Sequence, residues 1–199
     1  MQDDKLKKLY DELYDNGYHR SFQLSHSRNL IEIIEKTVSK NSIILDVGCS
    51  HGLAVDMLKK KGYNSYGIDI ADKAIEYCKQ RGLSTCKCCS ADNITFEDNF
   101  FDVILSTDVL EHIPTSMVNT VVNEFNRVTK DDASVFIKVA SVPERHRWDT
   151  ITEHYGCSNL HLTTEGIEFW EKAFNEFFVI ENIITNYPTF FEVVLRKKQ

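Results

Sequence analysis

Three aspartates recur beside short apolar runs, and the first of them leads into a glycine loop. Asp46 lies in "ILDVGCSHG", Asp69 ends "YGIDI", and Asp92 follows in "CSADNITF". Such a loop lets backbone N–H groups and a helix N-terminus approach a ligand, and an acid about twenty residues further on can accept hydrogen bonds from both ribose hydroxyls. The third acid could receive an adenine amino group. Each acid alone would suit a turn or a helix cap, but together they indicate a nucleoside-containing ligand.

Titratable side chains also cluster in "DVLEHIP". Asp108, Glu111 and His112 are three and four residues apart, so they converge if a strand ends here and a helix begins. One interpretation makes His112 a general base, because histidine titrates near neutral pH. Another makes Glu111 an acid at a helix N-terminus and His112 its hydrogen-bonded neighbour. The spacing alone is compatible with both.

Six cysteines occur in the chain, and three of them crowd into "CKCC" as Cys86, Cys88 and Cys89. No second cysteine pair stands at zinc-finger spacing, and the surrounding "LSTCKCCSAD" alternates like a strand. We therefore predict buried, reduced thiols here in preference to a metal site.

The composition restricts the classes of function. The chain has 199 residues, of which 42% are hydrophobic, and this suits a single domain over residues 1–199 with a substantial core. Its charged N-terminal segment lacks the apolar stretch of a secretion signal, and no apolar run is long enough to cross a membrane. A net charge of −7 disfavours general electrostatic binding to nucleic acid. We expect a cytoplasmic protein without a nucleic-acid partner.

The hydrophobic pattern changes its period near residue 42. Helical patterns over residues 3–15 and 26–39 predict a helical N-terminal cap within residues 1–40. From Ser42 onward, short apolar runs such as "SIILDV" and "FFDVILST" alternate with amphipathic segments such as "VNTVVNEFNRVT". This alternation is typical of βαβ units and a parallel sheet covered on both faces. We predict an α/β fold in which residues 42–140 form the ligand-binding core.

Residues 141–199 follow a different pattern. The stretch "SVPERHRWDTITEHYGCSNLHL" is long and polar, and a connection of that length in a compact domain is usually functional. A helix, "TTEGIEFWEKAFNE", and two strand-like runs, "FFVIENIIT" and "TFFEVVLRK", come after it. We predict a closing hairpin at one edge of the sheet. Trp170 and Phe174, four residues apart, are predicted core residues, whereas Trp148 lies among charged neighbours.

From about Ser42 to Val139 the chain resembles the class I S-adenosylmethionine-dependent methyltransferases. The segments "ILDVGCSHG", "YGIDIADKAIEYCKQRG", "SADNITFEDNFFDVILSTDVLEHI" and "NEFNRVTKDDASVFIKV" occur in that family's order and spacing. The resemblance implies a Rossmann-like, doubly wound sheet of seven strands, mostly parallel with an antiparallel last strand, and helices on both faces. It also implies S-adenosyl-L-methionine as the cofactor and S-adenosyl-L-homocysteine as the product.

The resemblance further assigns the cofactor contacts. Gly48, Cys49 and Gly52 would line the methionine part, Asp69 would hold the ribose, and Asp92 with Asn93 would flank the adenine. The full set of implied cofactor-binding residues is Asp46, Gly48, Cys49, Gly52, Asp69, Ile70, Asp92, Asn93 and Ser106. Ser50 departs from the family, which commonly has glycine there, and we expect its small side chain to cause little crowding.

Two alternatives remain for the glycine loop. A nicotinamide-dependent dehydrogenase could use it, but "STDVLEHIP" resembles the methyltransferase substrate edge and the end of the chain resembles that family's antiparallel seventh strand. A cofactor-binding fold without catalysis could instead serve as the partner of an active subunit. The presence of Asp46, Asp69 and Asp92 together argues against this second alternative.

The predicted acceptor comes from a further resemblance. "HLTTEGIEFWEKAF" resembles the region before the sixth strand in methyltransferases that act on sugars and other small hydroxylated molecules, and this would place His161 at the substrate mouth. The candidate catalytic residues are therefore His112, His161, Asp108 and Glu111. We expect an O-methyltransferase for a sugar hydroxyl, on a free glycoside or at a glycan end. Another small hydroxyl or carboxyl substrate is the alternative.

A metal requirement and the extent of the whole protein stay open. Some related ubiquinone-pathway O-methyltransferases bind a divalent cation at positions equivalent to Asp108, Glu111 and His112. Those relatives have glutamate at the position of Asp108, so the metal interpretation is the weaker one, and we expect activity to survive chelation. A domain of this size also occurs within longer glycan-assembly polypeptides, so the chain could be part of one. The sequence predicts no oligomeric state.

Overall fold

The computed structural model of the protein describes residues 2–18, 23–142 and 160–199. Most of the predicted polar loop, including Trp148, lies outside the described residues. Within the described ranges the helices and strands are, in chain order, α1 (Gln2–Asp15), α2 (Ser25–Thr37), β1 (Ile43–Val47), α3 (Leu53–Lys60), β2 (Asn64–Asp69), α4 (Asp72–Gln80), β3 (Cys86–Cys88), β4 (Phe101–Thr107), α5 (Val118–Val128), β5 (Thr129–Ala140), α6 (Ile167–Phe174), β6 (Phe178–Tyr187) and β7 (Phe190–Lys197).

The strands form one seven-stranded sheet in the order β3-β2-β1-β4-β5-β7-β6. β1 pairs in parallel with both β2 and β4, and further parallel pairs join β2 to β3 and β4 to β5. β7 is antiparallel to both of its neighbours, β5 and β6. These pairings confirm the predicted α/β sheet, mostly parallel with an antiparallel seventh strand. Because the strand order turns back at β1, with β2 and β3 on one side of it and β4 on the other, the ligand site is expected at the carboxyl ends of β1 and β4.

Neighbouring residues of the central strands point to opposite faces of the sheet, and helices cover both faces. In β4, Val103 and Leu105 belong to the apolar cluster that includes α2 and α3 residues, whereas Ile104 belongs to the cluster that includes α5 and α6 residues. Trp170 and Phe174 of α6 are buried in that second cluster, as predicted. The near-continuous apolar runs of the sequence therefore reflect a sheet that has helices on both faces.

Helix α1 packs against α4 rather than on the sheet. Leu13 and Tyr14 form an apolar cluster with Ala71 and Ala74. The carboxylate oxygen Oδ1 of Asp11 accepts a hydrogen bond from the backbone N–H of Lys73 at 3.0 Å. This bond satisfies one of the otherwise unpaired N–H groups in the first turn of α4. The N-terminal helix is thus attached directly to the element that follows Asp69.

The described ranges contain no helix that combines the length and the hydrophobicity needed to cross a membrane.

Candidate active site

The loop after β1 turns tightly over the end of β2. The backbone N–H groups of Gly48 and Cys49 both donate to the carbonyl of Ile68 at 2.8 Å. Gly48 has a φ of +73°, and a Cβ at this position would lie 2.2 Å from Cγ2 of Val109. Both the backbone conformation and the close approach of Val109 therefore require glycine here. The loop ends at Gly52, directly before α3.

Ser50 adopts a left-handed conformation with a φ of 49°, which side-chain-bearing residues adopt at a cost. Its backbone N–H donates to Oδ2 of Asp69 at 2.9 Å. Its carbonyl accepts a hydrogen bond from the thiol of Cys78 at 3.2 Å. The departure from the family's glycine is therefore a matter of backbone conformation rather than side-chain crowding, and the two hydrogen bonds hold the loop in place.

A cavity of about 1100 Å³, counting the part open to solvent, lies between this loop, α1 and the carboxyl ends of β1, β2 and β4. The predicted site residues that line it are Asp46, Gly48, Cys49, Asp69, Ile70, Asp108 and His112. The structure thus brings the loop, Asp69 and part of the "DVLEHIP" group to one cavity.

Asp69 stands at the end of β2 with both carboxylate oxygens directed to the backbone. Oδ2 accepts from the N–H of Ser50, and Oδ1 accepts from the N–H of Ala71 at 3.0 Å. Burial raises the pKa of Asp69 to about 6, against the lowering effect of these two hydrogen bonds. The group is therefore mainly ionised at neutral pH, and its remaining lone pairs can accept hydrogen bonds from a ribose. Burial likewise raises the pKa of Asp46 well above its usual value.

Four predicted cofactor residues do not line the described cavity. Asp92 accepts a hydrogen bond from the Ser90 hydroxyl, and Asn93 is exposed. Ser106 is fully buried, and its hydroxyl has no hydrogen-bond partner among the described residues. Gly52 lies at the start of α3, just outside the lining. Near the end of β3 the cavity wall is formed instead by Cys89, Ser90 and Ala91.

The sequence interpretation did not include the residues that α1 and α2 contribute. Leu6, Tyr10 and Tyr14 of α1 line the cavity, as do Tyr18 and, from α2, His26 and Ser27. Tyr14 is buried, and its pKa is raised by burial and by the nearby charge of Asp69. The tyrosines are spaced four residues apart in the sequence, and this spacing could have indicated a single aromatic helix face directed to a site.

The "DVLEHIP" group separates into two parts in the structure. The Asp108 carboxylate lies 2.9 Å from Nζ of Lys138 and 3.2 Å from Nδ1 of His26. Burial would raise the pKa of Asp108, but these two partners lower it below its usual value. The residues Leu110–His112 form a single 3₁₀ turn and not the first turn of an α-helix. Asp108 is therefore held by an ion pair with Lys138 and a contact with the His26 ring, and it is not part of the group that Glu111 and His112 form with His161.

Glu111 is fully buried beneath this turn. Its Oε1 accepts from the N–H of Ala140 at 3.2 Å, and its Oε2 has no partner among the described residues. Burial and the charge of Asp108 raise the pKa of Glu111 to about 8, so the carboxyl is mainly protonated at neutral pH. Its backbone carbonyl accepts from the N–H groups of Leu162 and Thr163 at 2.7 and 2.9 Å. Glu111 thus joins the strand-four turn to the segment before α6.

Two histidine rings meet beside Glu111. Nδ1 of His112 lies 3.0 Å from the Leu160 carbonyl, and Nδ1 of His161 lies 2.9 Å from the Val142 carbonyl. Since a carbonyl only accepts, each Nδ1 carries a hydrogen, and in the neutral ring of His112 the unprotonated nitrogen is Nε2. The rings pack edge to face with centroids 4.9 Å apart. Burial, together with His161, lowers the pKa of His112 to about 4, so the ring is neutral at physiological pH.

One ligand atom each from Glu111, His112 and His161 lies within 4.8 Å of the others. Oxygen and imidazole nitrogen atoms at this separation could hold a divalent cation. His161 therefore takes the place that the sequence interpretation gave to Asp108. The hydrogen bond from His112 also goes to the Leu160 carbonyl and not to Glu111.

Two family profiles match parts of this chain. A family profile described as a methyltransferase domain matches residues 45–137. A second profile, described as "Predicted AdoMet-dependent methyltransferase", matches residues 3–80. The first profile covers the sheet from β1 to β5, and the second includes the N-terminal helices that contribute to the cavity.

Several curated proteins are similar in sequence. An uncharacterized protein of Methanocaldococcus jannaschii is 30% identical over 70% of this chain and 50% of its own length. The phosphoethanolamine N-methyltransferase of Plasmodium falciparum is 25% identical over 76% of this chain and 58% of its own. The ubiquinone biosynthesis O-methyltransferase of Hydrogenovibrio crunogenus is 33% identical over 42% and 38%, respectively. The chain thus spans about half the length of the curated relatives it matches.

A solved structure shows the same fold at low sequence identity. It is the 1,6-didemethyltoxoflavin-N1-methyltransferase of Burkholderia thailandensis with bound 1,6-didemethyltoxoflavin and S-adenosylhomocysteine. It superposes with a TM-score of 0.76 at 13% identity, over 98% of this chain and 88% of that one. The two profile matches, together with the glycine loop and the sheet of this chain, lead to one conclusion: residues 45–137 are an S-adenosylmethionine-dependent methyltransferase domain.

Proposed function

We propose that this protein transfers a methyl group from S-adenosylmethionine to a hydroxyl of a small, uncharged acceptor, and that the acceptor is a sugar, free or at a glycan end. The observation that carries this proposal is His112, a neutral histidine anchored through Nδ1 at the wall of the cavity. A neutral imidazole there can take the proton that a hydroxyl must lose.

The lining of the cavity supports an uncharged acceptor. Among the described residues, the lining contains carboxylates, tyrosines and histidines but no lysine or arginine. Phosphorylated and carboxylated ligands are usually held by such cations, often by bidentate arginine. Hydroxyl groups can instead donate to Asp108, and the apolar side of a sugar ring can pack on Tyr10. These features favour a polyhydroxylated acceptor over a carboxylated one.

Different residues of the cavity would bind the cofactor, orient the acceptor and take up its proton. The loop from Gly48 and the carboxylate of Asp69 would hold the cofactor, which supplies an activated methyl group when bound. Asp108, fixed by Lys138 and His26, would orient the acceptor. His112 would take up the acceptor's proton through Nε2. A pKa of about 4 makes His112 a weak base, so alignment of the acceptor would supply most of the acceleration.

A second small hydroxyl acceptor is supported by one comparison. The relative from Hydrogenovibrio crunogenus is named for O-methylation in ubiquinone biosynthesis. An acceptor with a phenolic hydroxyl is already partly acidic and would need less help from a weak base such as His112. A phenol is therefore the alternative to a sugar.

A product screen tests the proposal. The protein is incubated with isotope-labelled S-adenosylmethionine and separate panels of glycosides, small phenols, carboxylic acids and amines, and the products are analysed by mass spectrometry. We expect label on a hydroxyl oxygen of a glycoside. Label only on phenols would select the alternative, and label only on nitrogen would contradict O-methylation. Calorimetric titration with S-adenosylmethionine tests whether the protein is an inactive scaffold, because such a scaffold would not bind the cofactor.

A further inference from the structure

Three cysteines that are distant in sequence meet beneath the cofactor loop. Cys49 lies in the loop, Cys78 in α4 and Cys86 at the start of β3, and their Sγ atoms all lie within 4.8 Å of one another. All three are free thiols and are buried. The backbone leaves room for them, because a Cβ at Gly67 would lie 2.7 Å from Sγ of Cys49. The methyl-transfer chemistry proposed above does not use this group, which we name the thiol trio.

The thiol trio is not the "CKCC" cluster of the sequence. Cys88 is exposed, against the prediction of buried thiols, and its sulfur accepts a hydrogen bond from Lys7 at 3.2 Å. Cys89 is buried but lies outside the trio. Its thiol donates a hydrogen bond to the Asn93 carbonyl and accepts one from the backbone N–H of Thr95. Only Cys86 of the "CKCC" residues belongs to the trio, so spacing along the sequence could not reveal it.

The sulfur separations suit a single metal ion. Thiolates bound to one ion at about 2.3 Å lie roughly 3.8–4.0 Å apart, which is compatible with the observed limit. Sulfur ligands select soft cations over magnesium or calcium.

The trio also supports the loop that carries the cofactor site. The Cys78 thiol donates to the Ser50 carbonyl at 3.2 Å, and the Cys49 thiol lies 3.7 Å from the same oxygen. A thiol that becomes a metal ligand loses its proton, so it can no longer donate. Ser50 would then keep the hydrogen bond from its N–H to Asp69, but its carbonyl would lose the hydrogen bond from Cys78 in α4. Cys49 lines the cofactor cavity, which offers an ion a route to the sulfurs.

We propose that Cys49, Cys78 and Cys86 form a three-sulfur binding site for a soft, thiophilic cation, and that occupation of this site opposes cofactor binding. Each thiol that becomes a ligand releases its proton to solvent, and no electron is transferred. Because the coupling is a binding equilibrium, the cofactor must weaken cation binding by the same factor.

Cadmium(II) is the probe for the site. The starting protein carries Cys88→Ser and Cys157→Ser, which remove two cysteines outside the trio. We expect one Cd²⁺ per chain, an ultraviolet sulfur-to-cadmium absorption band and measurable proton release. Adding Cys86→Ser should weaken binding at least tenfold, whereas Cys89→Ser, a change at a buried cysteine outside the trio, should leave it unchanged. If Cys86→Ser does not fold, as judged by near-ultraviolet circular dichroism, Cys78→Ala takes its place.

The coupling is measured in the same protein by calorimetric titration of S-adenosylmethionine with and without Cd²⁺. We expect at least fivefold weaker cofactor binding with Cd²⁺, and an equal loss of Cd²⁺ affinity with cofactor. Absence of a one-to-one complex, or a complex that survives changes at both Cys86 and Cys78, would overturn the site. Equal cofactor affinity in both titrations would overturn the coupling.

Discussion

Asp69 joins the cofactor loop to the end of β2 through a single carboxylate. Its two oxygens already hold Ser50 and Ala71, so a bound ribose would meet an acceptor whose position is fixed. We expect Asp69→Ala to weaken S-adenosylmethionine binding by about 2–4 kcal/mol, since charge-assisted hydrogen bonds to both hydroxyls are lost. Calorimetric titration measures this, with Asp98→Ala as a control at an exposed carboxylate that pairs with Arg127. Unchanged affinity in the Asp69 variant would contradict the assignment.

Cofactor affinity should also depend on pH through Asp69. Its pKa in the protein without cofactor is raised to about 6 by burial. The ribose hydroxyls need the ionised form, so affinity should be constant above this pH. Below it, affinity should fall as the carboxyl takes up a proton, approaching about tenfold per pH unit. Titrations between pH 5 and 8, in steps of about half a unit, test this. The Asp69→Asn variant should lose this dependence, and its persistence there would assign it to another group.

The two histidines beside Glu111 differ in their access to the cavity. His112 lines it, whereas His161 reaches the group from the segment before α6. We expect His112→Ala to lower the single-turnover methylation rate at least tenfold, below the range of about a hundred- to ten-thousand-fold for general bases because His112 is a weak base. His161→Ala should have a smaller effect, through the loss of ring packing on His112. Cofactor affinity should stay the same in both. Parent rates in both variants would exclude a histidine base at this position.

Gly48 lies in the loop after β1, against Val109, which directly precedes the 3₁₀ turn. Gly48→Ala would add both left-handed strain and a Cβ that clashes with Val109. Gly82, at the end of α4, has a nearly equal φ of +76° and nothing within 4 Å of its Cβ position, so Gly82→Ala isolates the strain. We expect the control to lose about 1 kcal/mol of unfolding free energy and to bind cofactor normally. Gly48→Ala should lose more and bind cofactor poorly. If urea unfolding shows the same loss of unfolding free energy in both variants, Val109 accommodates the added Cβ without cost.

Elements with strong local patterns could be predicted, and contacts between distant segments could not. The apolar runs that form β1 and β4 are buried on both faces of the sheet. Such runs are recognisable from hydrophobicity alone. Gly62 and Gly82 have positive φ angles after their helices, as turn chemistry requires. The meeting of His112 with His161 depends instead on the path of the chain after β5. The thiol trio could not be predicted for the same reason, because its members lie in the loop after β1, in α4 and in β3.

In the whole molecule, α1 forms one wall of the cavity and is held mainly by its contacts with α4. Leu13 is completely buried in that contact. We expect Leu13→Ala to loosen α1, to speed amide hydrogen exchange in it and to weaken cofactor binding. Leu58→Ala in α3, an equally buried leucine in a different cluster, is the control. Both changes should cost about 2–5 kcal/mol of stability. Only the first should change exchange in α1, and an equal effect of the control would contradict a separate role for this helix.

The position of Tyr10 and Tyr14 has a kinetic consequence. These rings line the same cavity as Asp69, so both the spent and the fresh cofactor must pass a helix that is tied to α4 through Asp11 and Lys73. The lifetime of the bound state would then follow the opening frequency of α1, even when affinity is unaltered. In steady-state turnover, departure of the demethylated product would limit the rate, and a burst of methylated acceptor would precede it.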